Sequence, residues 1–411
     1  MSDHRIFPAL LAAFGLSIIS SPASANDSNV LPHQESAEGR VQISENYRHL
    51  KFSNLGQDYS DFKDWLQKKY GFGYSLTASF TAQYGAPGGH NTALQTILYP
   101  AFTWNLFNNS FGNAVLNFAY NIVQYTGANS GTIDDNIGVV TSINDYDDQS
   151  NEFPELYISY QLPGKYDWLT VGLGQYPISN FDGTTYDSNQ QENFINWTFS
   201  QNASASYPTA GLGSYIQITP TPEWSFAAGF QDATNVDGTR ISTSHLDEKH
   251  YATFGYVSYN PVIKGLGQGQ YSFLYYNQPW VEAQPQTTNG WSVNFSQNLD
   301  EKWAVFGRVN GVSGEMEEID NSWLLGVVMN NPFNRNPLDQ IGFAGALNHI
   351  NEDAVGEPVE HNYEKVIEGY ITLGVSKWMT LTPDIQVYFD PALNPSSDTA
   401  FAFSLRATLF F

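Results

Sequence analysis

The sequence predicts an all-β chain: a 16-stranded antiparallel transmembrane β-barrel of the bacterial outer membrane, preceded by a short helical and polar extension. Three observations lead there. The last eleven residues, Phe401-Ala-Phe403-Ser-Leu405-Arg-Ala407-Thr-Leu409-Phe-Phe411, alternate and stop on an aromatic residue, so apolar side chains can face lipid while Ala402, Ser404, Arg406 and Thr408 face a wet interior. Runs of the same period recur along the chain. The links between them alternate between short and long.

The N-terminus is read first because it sets the compartment. Residues 1–25 have the layout of a secretory signal, with Arg5, an apolar core from Ile6 to Ile19, and Ala23-Ser24-Ala25 as a cleavage site. No later stretch reaches the roughly 18 apolar residues of a spanning helix, so any membrane is crossed by strands. Residues 26–72 do not alternate. They form the expected periplasmic or luminal extension, and within it Phe62-Lys-Asp-Trp65-Leu66-Gln-Lys-Lys-Tyr70 places its apolar positions on one helical face, expected to rest on the periplasmic rim, with a plug in the lumen as the alternative. The barrel is expected over 73–411.

Within that span, period-two runs bounded by turn residues fall at 73–84, 94–107, 112–125, 153–162, 168–175, 211–219, 223–231 and 250–260. Eight more follow at 268–277, 289–299, 302–311, 322–330, 338–347, 363–375, 378–389 and 399–411. The runs at 250–260 and 322–330 alternate poorly. Links after even-numbered strands are short, such as Pro163-Gly-Lys-Tyr-Asp167 and Pro220-Thr-Pro222, and those after odd-numbered strands are long, notably 126–152, 176–210, 232–249 and 348–362. Short turns belong at the periplasmic rim and long loops outside. Trp168, Trp224, Trp303 and Trp378 each follow a short turn, the placement of an aromatic girdle.

Charge narrows the function. A formal net charge of −24 argues against nucleic acid, and the absence of cysteine excludes disulfides and cysteine-zinc sites. By this strand assignment, 24 of the 41 carboxylates fall in the long loops, against Arg240 and Lys249. Such a mouth enriches cations, and it could hold loop-bound divalent ions that bridge to outer-membrane lipid and lipopolysaccharide. No cofactor or resident metal is expected. His245 and His250 flank Asp247 and Glu248 in a set that could ligate a metal, though exposed loop histidines more often face solvent, and Asp145, Asp147 and Asp148 cluster without the Gly and terminal Glu spacing of an EF calcium loop. The scattered histidines and the lack of a Gly-x-Ser-x-Gly elbow argue against an enzyme.

Sixteen strands leave room for an aqueous channel that a loop can narrow. The longest loop, 176–210, is the candidate constriction. It mixes Phe181, Asp182, Tyr186, Glu192, Phe194, Trp197 and Tyr207 with amides and hydroxyls, a composition suited to stacking on and bonding sugars. Alternation points Glu155, Glu368, Asp384 and Gln386 inward, and likewise Arg308 and Arg406, since Arg on the lipid face at mid-depth would cost about 2–4 kcal/mol.

The C-terminal segments resemble the carbohydrate-selective porins of the OprB family. Val366-Ile-Glu368-Gly-Tyr370, Trp378-Met-Thr-Leu-Thr-Pro383-Asp384-Ile385-Gln386 and Asp390-Pro391 carry the likeness, with Leu169-Thr-Val-Gly172-Leu-Gly174-Gln175 and Phe181-Asp182 entering the candidate constriction. Gln175 stands where that family often has a basic residue. The resemblance implies a sixteen-stranded porin for mono- and oligosaccharides. The expected substrate-path residues are therefore Glu155, Gln175, Asp182, Trp197, Arg308, Glu368, Asp384, Gln386 and Arg406, in a passive channel for small polar solutes. A homotrimer is the expected assembly by analogy with porins of this size. A cation- or basic-solute-selective porin is the alternative favoured by the acidic mouth, and a non-conducting adhesive or structural barrel is the rival from another class.

Overall fold

A sheet of sixteen spanning strands closes because its first and last strands complete each other's hydrogen bonds. The computed structural model describes residues 54–411 except His90; the signal expected over 1–25 and most of the polar segment after it lie outside the described residues. The first half of the wall is β1 (Phe72–Ala86), β2 (Thr92–Asn109), β3 (Gly112–Gly127), β4 (Ser150–Gln161), β5 (Leu169–Tyr176), β6 (Gly211–Thr221), β7 (Trp224–Asp232) and β8 (Tyr251–Tyr259). The second half is β9 (Gly267–Gln278), β10 (Thr288–Asn298), β11 (Trp303–Val312), β12 (Ile319–Asn330), β13 (Gln340–Ile350), β14 (Tyr363–Ser376), β15 (Met379–Phe389) and β16 (Thr399–Phe410). Each strand pairs antiparallel with the next, and β1 pairs with β16 from Thr77↔Phe410 to Ala86↔Phe401. Phe411 and Leu76 exchange two backbone bonds of 2.9 Å, so the final residue is part of the seam. Closure leaves no strand edge in hydrocarbon. A two-residue ladder, Val262–Ile263 against Gly267–Gln268, tightens one turn without adding a spanning strand.

Alternation sorts the side chains. In β16 Ala402, Ser404, Arg406 and Thr408 are buried while Phe401, Phe403 and Leu405 are exposed; in β15 Asp384 and Gln386 point in and Ile385 points out. Pro383 sits on the outer face of β15 opposite Leu405. Trp168, Trp224 and Trp303 lie exposed near one rim, next to the short turns.

The two poorly alternating runs have a physical reason. Strand β8 turns Phe254 and Tyr256 inward, and β12 turns Leu324 and Val328 inward, so both of their faces are apolar. Loop side chains cover them from inside: the Phe181 ring lies 4.7 Å from Phe254 and 5.4 Å from Tyr256, and Phe194 and Phe199 share a cluster with Leu324 and Val328. Several wall rings lie flat over a cross-strand glycine. Gly342 is the register partner of Tyr370, and a Cβ there would meet that ring at 2.3 Å; Gly172 with Tyr215 and Gly326 with Phe306 repeat the arrangement.

Among the described residues, one helix precedes the wall. Helix α1 (Asn54–Tyr70) stops at Gly71, whose φ of +66° and close approach to Asn105 suit only glycine. It packs against the start of β1, at the rim of the short turns.

Candidate functional site: the loop-filled lumen

The long loop between β5 and β6 folds into the barrel instead of standing outside it. Its direction is set at the root. Gly174, at φ +136°, passes so close to Leu156 O that a side chain would not fit, Gln175 donates to Phe153 O, and Asn180 donates to Glu155 at 2.8 Å. From there the loop crosses the lumen and is bonded to both sides of it.

One side is the wall of β14–β16 and β1. The Glu368 carboxyl accepts the backbone N–H of Ile195 at 2.6 Å and of Asn196 at 3.1 Å. Asn196 in turn donates to Gln386 at 3.1 Å and to the Tyr388 hydroxyl at 2.6 Å. Arg406 donates through one nitrogen to Gln190 O and to Asn193 O, Thr408 donates to Gln191 O at 2.7 Å, and Gln191 donates to Ser79 of β1 at 3.1 Å. Asp384 lies beside both Glu368 and Arg406.

The far side is β9–β11. Arg308 is fully buried, pairs with Asp187 at 3.0 Å and donates to Asn294 at 2.8 Å. Asp182 accepts from Asn294 at 3.0 Å, Asn202 at 2.8 Å and Tyr207 at 3.1 Å. Ser206 meets Tyr276 and Thr288, and Asn310 donates to Ser204. Phe194, Phe199 and Tyr186 add an apolar core with Phe306, Leu324 and Val328, which removes water from these polar contacts.

A second loop, 128–149, enters beside the first. Its helix α2 (Ser130–Ile137) is capped by Asn129, and Ile133 packs where Gly85 of β1 leaves room. Glu364 holds it by accepting Val140 N at 3.2 Å and Thr141 N at 2.7 Å, and also accepts Ala392 N. Gln83 and Gln95 bond Asn144. Within the loop, Asp134 accepts from Ser142 at 2.6 Å and Ile143 N at 3.0 Å; burial pushes its carboxyl up to about 8 despite those two donors.

All of the residues expected along the path point inward or lie in the loop, and the structure gathers them into groups. Glu368, Asp384, Gln386 and Arg406 form one wall cluster, Asp182 and Arg308 another, and Glu155 and Gln175 sit at the loop's root. Trp197 opens a short helix, Trp197–Ser200, donates its backbone N–H to Ser142 O and packs half-buried near Val140 and Ala392. The two guanidinium groups are covered by the loop and hold it. The acidic loops also differ from the expectation of an outer mouth alone. Asp134 and Glu152 in or beside one loop, and Asp182, Asp187 and Glu192 in the other, are buried in the barrel. Sequence reasoning missed Glu364, Asn294 and Tyr276 as anchors. Alternation places each inward, but only the folded loop gives them a partner.

Comparison with known proteins fits this geometry. The model of the family described as "Carbohydrate-selective porin, OprB family" matches residues 111–279 and 244–411. The chain is 40% identical over 314 residues to "Porin AaxA" of Chlamydia felis, covering 76% of this chain and 70% of that one. It is 37% identical over 383 residues to "Porin AaxA" of Chlamydia abortus, covering 92% and 82%. Among solved structures, the high-pH form of Pseudomonas putida OprB superposes with a TM-score of 0.71 at 18% identity, covering 87% of this chain and 98% of that one, a likeness of fold. With the fold, the family match and these relatives in agreement, the chain belongs to the OprB family of carbohydrate-selective porins, channels of the outer membrane.

Proposed function

We propose that this porin passes small neutral polar solutes, carbohydrates foremost, and that the accessible face of the 177–210 loop selects them. One observation carries the reading. The three carboxylates of the loop are buried, and the loop residues that keep solvent contact are uncharged, among them Thr185, Ser188, Asn189, Trp197, Gln201 and Tyr207. Charge is used for anchoring, and amides, hydroxyls and two aromatic rings are left toward the path. Rings stack on the C–H faces of sugars while amides and hydroxyls exchange hydrogen bonds with their hydroxyls. Toward the periplasmic rim the inward positions Ser75, Thr103, Ser159 and Gln217 stay wet, which supports a vestibule below the constriction.

Single-channel recording in planar bilayers with added mono- and disaccharides tests this. Saturable sugar block that weakens in Tyr207→Ala is expected; conductance indifferent to sugars refutes it. A second reading rests on Glu315, Glu352, Asp353 and Glu357, which are exposed in the outer loops and would concentrate cations. A reversal potential near the cation limit, unaffected by sugar, would favour it.

A further inference from the structure

We infer that α1 is an interfacial anchor, lying in the inner leaflet of the outer membrane against the barrel's flank. Its aromatic contacts with the wall are to outward-facing residues, while Gln67 reaches the inner side of the rim at Gly73. Tyr74 and Trp104 belong to the lipid-facing sets of β1 and β2; the Tyr59 and Tyr74 hydroxyls bond at 2.6 Å with their rings at 6.2 Å, and Trp104 Nε1 donates to Tyr70 O at 3.1 Å. Lys63 lies 5.0 Å over the Tyr74 ring. The helix therefore straddles the rim, with Gln67 turned to the inner side and its ring contacts on the lipid side.

Its free face has the chemistry of that interface. At 100° per residue, Phe62, Trp65 and Leu66 fall on an arc beside the wall-contacting residues Tyr59 and Lys63, and Asp61, Asp64 and Lys68 fall on the other side. Phe62 and Trp65 stack at 5.8 Å, Tyr70 meets Trp65 at 5.3 Å, and all three are more than two-fifths exposed. Lys69 lies 4.8 Å over Trp65 and 5.2 Å over Tyr70, which puts an ammonium at the edge of the aromatic patch. Aromatic rings flanked by lysines match the junction of acyl chains and anionic phosphates. The patch also continues the exposed Trp104, Trp168, Trp224 and Trp303 around the same rim, so its level is that of the girdle. The occupant is thus phospholipid.

The lack of cysteine gives a clean background for the test. Single nitroxide labels on the full chain at positions 61, 62, 64, 65 and 68, in nanodiscs containing phosphatidylglycerol, are read by collision with oxygen and with a water-soluble nickel chelate. Oxygen should dominate at 62 and 65 and nickel at 61, 64 and 68. Nickel dominance at all five would place the face in water. Exclusion of both reagents at 62 and 65 would mean that protein covers it, either the segment before residue 54 or a second copy. Each of these results overturns the proposal.

Discussion

Glu368→Ala removes the acceptor of two buried backbone N–H groups at once, those of Ile195 and Asn196. A stranded buried donor costs about 1–3 kcal/mol, so stranding two should weaken docking of this stretch by about 2–6 kcal/mol. At 1.4 kcal/mol per decade, that is roughly a 30- to 20,000-fold shift toward the undocked loop. The barrel itself should survive, because its ladder does not pass through the Glu368 side chain. Chymotrypsin acting on protein in lipid vesicles is the first readout, since Phe194, Trp197 and Phe199 lie within or next to the released stretch; single-channel conductance is the second. The variant should be cut there while its folded barrel still resists denaturation in detergent, and its conductance should rise or flicker. Glu368→Gln, with one oxygen left, should fall between. Unchanged protection and unchanged conductance would refute the clamp.

Three further outcomes follow from the same geometry. Arg308→Ala leaves Asp187 buried without its partner, and the denaturant midpoint should drop by the equivalent of about 3–5 kcal/mol; an unchanged midpoint would show that the pair holds nothing. Gly342→Ala drives a Cβ into the Tyr370 ring and should cost about 1–3 kcal/mol, whereas Gly345→Ala, whose nearest neighbour would be 3.8 Å away, should be nearly silent in the same unfolding assay. Asp134 holds its proton up to about 8 when folded but only to its ordinary value of 3.8 when unfolded. The folded state therefore binds the extra proton between those limits, and stability is complete below about pH 4 and declines as the pH rises to 8, by at most about 1.4 kcal/mol per unit. Asp134→Asn should flatten the slope in urea titrations at pH 5, 7 and 8.5.

The wall was legible because a membrane enforces its pattern: an inward Arg406 and an outward Leu405 are the only arrangement that keeps charge out of hydrocarbon, so period two survives in the sequence. The pattern faded where the inside is apolar as well. Leu324 and Val328 look like lipid-facing residues because nothing in β12 reveals that Phe194 and Phe199, more than a hundred residues earlier, arrive to cover them. Loop placement was hidden for the same reason. Residues 176–210 were recognisable as a constriction by length and composition, but Glu368 and Arg406 read as charges lining a path, and only the fold assigns their hydrogen bonds to backbone groups. The anchor Glu364 shares the inward face of its neighbour Glu368 but lies outside the family-like segment 366–370 that drew attention to Glu368.

The span of the long loop bears on how the protein is made. Its bonds to Ser79 on β1 and to Tyr276 on β9 reach strands eight places apart in a ring of sixteen, so the loop braces one diameter of the cylinder. Yet Glu368 and Arg406 are synthesised 173 and 213 residues after the atoms they hold. Until the last three strands are laid down, the brace has only one secure end. The first thirteen strands of the wall must then curl around a cross-member that is not yet fastened, and the event that seals the hoop also locks its interior. Chains truncated before β14 should accumulate as open sheets with a protease-sensitive loop, because the cylinder and its constriction are finished in one step.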